Sequence, residues 1–136
     1  MRKHITIIIM SALLSFAGIG QVIAAGQFYD YNITTPKFGG STTGNNYTKV
    51  SALEPAVVCS EQIGADYRLD VRVETVSNDA QSGYSEIGDF TRVELFYSSP
   101  VAGAQYHIRY RNKWYTPVDV QAIGHSSPDN PGGCDF

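Results

Sequence analysis

A histidine, two serines and an aspartate crowd into Gly124-His125-Ser126-Ser127-Pro128-Asp129. These are the residue types of nucleophilic catalysis, which needs a base within hydrogen-bond reach of the hydroxyl and an acid that orients the base. Adjacent residues rarely reach that geometry, and no oxyanion-hole motif accompanies them, so the segment is read as a polar turn leading into Pro128. His107, flanked by Tyr106 and Ile108, belongs on the outer face of a strand. Asp70 and Glu74 are interleaved with arginines that hold them ionised, whereas a glycosidase needs two acids facing each other across a cleft. There is no phosphate-cradling glycine loop, no acidic calcium loop and no zinc spacing. The sequence assigns no catalytic residue, no metal site and no cofactor.

Cys59 and Cys134 are the chain's two cysteines. Two thiols so far apart in sequence, with no histidine beside either, do not make a four-ligand cage. In an oxidising compartment an even pair is read as a disulfide. Closing a loop of about 75 residues contributes ~4.5 kcal/mol in the chain-entropy model.

One surface feature stands above the background. His107, Arg109 and Arg111 alternate along one strand face and lead into Lys113, Trp114 and Tyr115. If Arg92 and Phe96 lie alongside, the patch gains another cation and an outward aromatic. Such a mixture binds anionic or sugar ligands by hydrogen bonding and stacking. Arg109, Arg111, Trp114 and Tyr115 are therefore the candidate binding residues. A competing reading makes Trp114 a plug at the end of the domain and the arginines a solubilising face.

The elements that must position these residues follow from the pattern. Arg2, Lys3 and His4 precede an apolar run from Ile5 to Ile19, and Val22-Ile23-Ala24 supplies a cleavage site. Residues 1–24 are thus expected to be a cleaved signal peptide, leaving 25–136 as one secreted domain. The formal net charge of −3 becomes more negative without Arg2 and Lys3, which argues against nucleic acid and anionic membrane as partners. No later apolar run is long enough for membrane insertion.

Strict alternation marks Asp66–Val76 as a half-buried antiparallel strand, with Tyr67, Leu69, Val71 and Val73 inward and Arg68, Asp70, Arg72 and Glu74 on a solvated face. The same pattern predicts strands at Thr91–Ser98, Gln105–Asn112 and Trp114–Ala122, after extended segments at Phe28–Thr34, Tyr47–Leu53 and Ala56–Gln62. Phe38–Asn46 and Ser77–Asp89 read as loops, and Ser126–Phe136 as an irregular tail tethered by Cys134. The fold class is all-β: one antiparallel sandwich or small barrel of about six to seven strands.

The segment Gly103-Ala104-Gln105-Tyr106-His107-Ile108-Arg109-Tyr110-Arg111-Asn112, followed by Gly124-His125-Ser126-Ser127-Pro128-Asp129, resembles the C-terminal half of a family of small exported bacterial proteins. These are described mainly from bacilli and their relatives and are of uncharacterised function. In them a strand ending in Arg-Asn leads to a Gly-x-Trp-Ser-Pro-Asp close; here Ser126 stands in place of the Trp. The resemblance implies export and a compact β domain and brings no activity with it. The Tyr-x-Ile-Arg-x-Arg run from Tyr106 to Arg111 also resembles the tyrosine-corner strand of fibronectin type III domains, a likeness of fold alone. The function expected is non-enzymatic binding to a cell-envelope component or a protein partner. A bacteriocin-like or toxin-like effector is the alternative, with an exported hydrolase or protease inhibitor behind it.

Overall fold

The structure is a computed structural model that describes residues 26–136. The signal peptide expected at 1–24 lies outside the described residues. Among the described residues nine strands follow one another: β1 (Tyr29–Thr35), β2 (Ser41–Thr43), β3 (Tyr47–Thr48), β4 (Ala56–Ile63), β5 (Leu69–Thr75), β6 (Ser85–Ile87), β7 (Thr91–Leu95), β8 (Gln105–Asn112) and β9 (Val120–Ser127). A 3-10 turn at Gly64–Asp66 joins β4 to β5. No helix among the described residues is long and apolar enough to cross a membrane.

The strands form two antiparallel sheets packed face to face. One has the order β1-β9-β4-β7; the other runs β2-β8-β5-β6, with β3 also paired to β8. The core between them comes from the inward set of each strand, including Val58, Leu69, Val71, Val73, Leu95, Ile108, Tyr110, Val120 and Ala122. Period-2 alternation therefore assigned the inner faces of β5, β7 and β8 correctly. Those three strands do not all lie side by side, however. β5 pairs with β8 while β7 pairs with β4 in the opposite sheet, so Arg92 and Phe96 lie away from the β8 outer face.

Four other sequence readings change. Ser41–Thr43 is not loop but an edge strand on β8, and Ser85–Ile87 is an edge strand on β5. The predicted strand Trp114–Ala122 begins later and runs further: Trp114 to Pro117 form a turn, Val118 is exposed, and β9 continues through Ser127 between β1 and β4. The segment read as a polar turn is thus a central strand. It carries little apolar signature because Tyr31 fills the space that a side chain at 124 would take. A Cβ at Gly124 would collide with the Cys59 carbonyl and the Tyr31 ring.

The tail after β9 crosses the outer face of β4. Cys134 is bonded to Cys59, with a Cα–Cα distance of 5.8 Å. Arg92 donates to Asn130 Oδ1 and the Gly132 carbonyl, and Phe136 meets Phe90 edge to face. Val57 and Cys59 are fully buried although neither belongs to the inter-sheet core. At the start of the tail, Asp129 accepts from Lys49 Nζ at 3.1 Å and from the Val50 and Ser51 backbone N–H groups. This buried pair fastens the segment between β3 and β4 to the end of β9.

Candidate functional site

Cross-strand register decides what the charged face of β5 and β8 becomes. Glu74 stands opposite His107, Arg72 opposite Arg109 and Asp70 opposite Arg111. Two arginines directly opposite repel, and the Glu74 carboxylate settles between them. It accepts from Arg109 Nε at 2.8 Å, Arg72 Nε at 2.7 Å and His107 Nε2 at 3.0 Å. The Glu74 side chain is 0% exposed. Burial works to raise its carboxyl, but the hydrogen bonds from Arg109, His107 and Arg72 outweigh it and hold it below the usual range. The same hydrogen bond from Arg109 holds that guanidinium above its ordinary value. The face read as solvated is instead closed over a buried carboxylate.

The arrangement continues along the face. Asp70 accepts from Lys113 Nζ at 2.6 Å and from Arg111 at 3.3 Å, and Lys113 also reaches Glu86. Burial opposes the Lys113 charge, yet the bonds to Asp70 and Glu86 raise its pKa. The Tyr84 ring lies under the guanidinium groups of Arg111 and Arg72, at 3.7 and 4.6 Å from its centroid. Each cation of this face already has an anionic or aromatic partner, so it is an ion-pair lattice rather than an open anion-binding patch. Phe96 adds no aromatic to it; Tyr84 does.

Trp114 and Tyr115 lie in the turn after β8, edge to face at 5.4 Å. Trp114 is 76% exposed, which overturns its reading as an end plug. The Pro36–Gly40 turn joins the same end. Phe38 N–H donates to the Thr116 carbonyl and Gly39 N–H to that of Lys113. Phe38 is itself exposed, and it sits at φ +54 beside Gly39 at φ +76. A left-handed conformation costs a non-glycine residue roughly 1–2 kcal/mol, so the turn is held open by its bonds to the neighbouring loop. Of the four candidate binding residues, the two aromatics contact each other, while Arg109 and Arg111 are committed to Glu74 and Asp70.

The His125 cluster does not assemble as a triad. Along β9, His125 pairs in register with Cys59, and its Nδ1 lies 3.3 Å from Glu61 and its ring 4.7 Å from that of Phe28. Ser127 Oγ accepts from the Asp129 N–H, and Asp129 is held by Lys49. The imidazole does sit beside the cysteines, contrary to the sequence argument. A ring nitrogen and both sulfurs lie within 4.8 Å of one another. With the sulfurs joined to each other, neither is a thiolate ligand.

Sequence reasoning missed one further feature, a slot between the sheets where β1 faces the gap between β2 and β3. Its volume is about 140 Å³, and its lining includes Tyr31, Tyr47, Tyr97, Tyr106 and Tyr110, with Asp30, Asn32, Thr43 and Asn45 among the polar residues. At Gly44 the edge stays on β8, donating its N–H to the Ile108 carbonyl. Burial raises the phenols of Tyr31, Tyr97 and Tyr110 and keeps them neutral. Nine tyrosines in the sequence, several of them inward, were the available signal; alternation alone counted them as core.

Neither a protein-family model nor a curated protein matches the chain. Among solved structures, it is similar to that described as the crystal structure of PirA. The identity is 12%, the match covers 71% of this chain and 93% of that one, and the TM-score is 0.44. A likeness of that size carries no inference about activity.

Proposed function

We propose that this is an extracytoplasmic, non-enzymatic binding module, exported through residues 1–24, that attaches to a cell-envelope component through its loop aromatics. A disulfide and the lack of a membrane-spanning helix among the described residues support that location. The observation that carries the reading is the cluster of Phe38, Trp114 and Tyr115. These are three large exposed side chains on two loops tied together by backbone hydrogen bonds. Exposed aromatics on a rigid frame give a binding surface with little entropy to lose. Arg111, partly exposed at the edge of the ion-pair lattice, is the nearest of the proposed arginines in sequence.

Retention of the purified protein on washed cell envelopes tests this. Trp114→Ala and Phe38→Ala should each weaken retention several-fold while shifting stability by no more than about 0.5 kcal/mol, as exposed positions do. Unchanged retention in the double variant would overturn the assignment. Capture by a single envelope protein would make the partner a protein, and growth inhibition of neighbouring cells without retention would favour the effector alternative.

A further inference from the structure

Directly opposite residues of neighbouring antiparallel strands project on the same face of their sheet. One transverse row therefore sets Asp30 of β1, His125 of β9, Cys59 of β4 and Arg92 of β7 side by side on the outer face. The tail brings Cys134 onto this row behind Gly132 and Gly133, where a Cβ at either glycine would meet open space. A ring nitrogen of His125 and the two sulfurs lie within 4.8 Å of one another. The cluster is sheltered: Cys59 is buried, the His125 side chain is 10% exposed, and Phe28 meets the imidazole edge to face. Glu61 engages His125 Nδ1 at 3.3 Å, and a carboxylate on one ring nitrogen fixes an imidazole while leaving the other to ligate. Arg92 is already bound by Glu94 and by the tail, so its charge is compensated.

We propose that the reduced chain holds one divalent ion of the zinc class at Cys59, Cys134 and His125, and that forming the disulfide expels it. Around tetrahedral zinc, sulfur and nitrogen ligands stand about 3.5–3.8 Å apart. Sulfurs that are no longer bonded part to about that separation, and the glycines ahead of Cys134 absorb the movement. Two thiolates and one imidazole leave the fourth position to water. Sulfur ligands select zinc and its soft relatives over calcium and magnesium, which take oxygen. A dithiol supplies the electrons: the S–S bond breaks, each sulfur takes a proton, and the dithiol closes to its own disulfide. The ion then displaces both thiol protons into water. Exchange with an external disulfide runs these steps backwards, joining Cys59 to Cys134 and releasing the ion.

Titration of the full chain with Co(II) and then Zn(II), before and after reduction by a phosphine that leaves as its oxide, tests this. The disulfide form should bind neither ion at this site. The reduced form should take one Co(II), with thiolate-to-cobalt charge-transfer absorption and tetrahedral d–d bands, and Zn(II) should displace it with a Kd below about 1 µM. His125→Ala and Cys134→Ser should each weaken binding about tenfold or more. Glu61→Gln should weaken it about tenfold while the charge-transfer band persists. Oxidised glutathione should release the ion and abolish the band. Near-ultraviolet circular dichroism follows the fold throughout. No binding by the reduced chain, undiminished affinity in His125→Ala, equal affinity in urea, or loss of the native dichroism on reduction with Zn(II) present would each overturn the proposal.

Discussion

On the outer face of β5 and β8, Glu74 is shut off from water by Arg72, His107 and Arg109. On the outer face of β4, Val57 and Cys59 are shut off by the chain's own C-terminal segment, bonded through Cys134. The first cover is electrostatic: it depends on protonation state and comes from neighbouring strands. The second is covalent and comes from residues 75 positions away in sequence. A charged face need not be a wet one, and an apolar residue on an outer face need not be exposed. What matters is whether a partner is within reach.

The sharpest break of the contrast removes the covalent side. Replacing Cys59 and Cys134 by serine should cost about 4.5 kcal/mol of unfolding free energy, read by denaturant titration, and should raise hydrogen exchange along β4 before β5. If exchange rises equally on both sheets, the tail is not a separate cover.

Next comes the electrostatic side. Glu74→Ala leaves Arg72 and Arg109 facing each other across the register and should cost roughly 3 kcal/mol, as loss of one partner of a buried pair does. A loss below about 0.5 kcal/mol would mean that water replaces the carboxylate and that the face is open after all.

Acid sharpens the comparison further. The Glu74 carboxyl is held below its usual range in the folded protein. Its contribution is therefore complete above the unfolded value of about 4.3 and is lost as pH falls through the folded value. The wild type should lose more stability than Glu74→Gln between about pH 5 and pH 3, with the difference flat above pH 6. Parallel curves would remove Glu74 as the acid-sensitive group. The smallest effect belongs to Tyr84→Ala, which removes two cation–π contacts at partly exposed sites and should cost about 1 kcal/mol.

Much of the fold was legible because β4, β5, β7 and β8 alternate cleanly or carry continuous apolar runs. The short edge strands were not. Ser41–Thr43 and Ser85–Ile87 are three residues each and mostly polar, so they present no period until a central strand recruits them. Gly124–Ser127 was hidden for a different reason: both of its faces are covered by partners distant in sequence, Tyr31 on one side and Cys59 with the tail on the other. The Lys49–Asp129 pair is equally invisible locally, being 80 residues apart. For the candidate site, sequence placed Arg109 and Arg111 on the correct face, but their partners Glu74 and Asp70 depended on the register between β5 and β8. The slot was illegible because a tyrosine pointing inward looks the same whether it fills space or borders it.

The position of β9 has a consequence for how the chain acquires its structure in time. β9 lies between β1 and β4, with Tyr29 opposite Ser126 and Val57 opposite Ser127. Until residues 120–127 are available, β1 has no strand of its sheet to join, and that sheet exists only as the β4–β7 pair. A chain that emerges from its N-terminus therefore cannot complete this domain piece by piece; β1 waits for β9. Such non-local pairing places folding in the millisecond-to-second range rather than the microsecond one. It also sets the order of oxidation, since Cys59 meets Cys134 in its native setting only once β9 has closed the sheet beneath the tail.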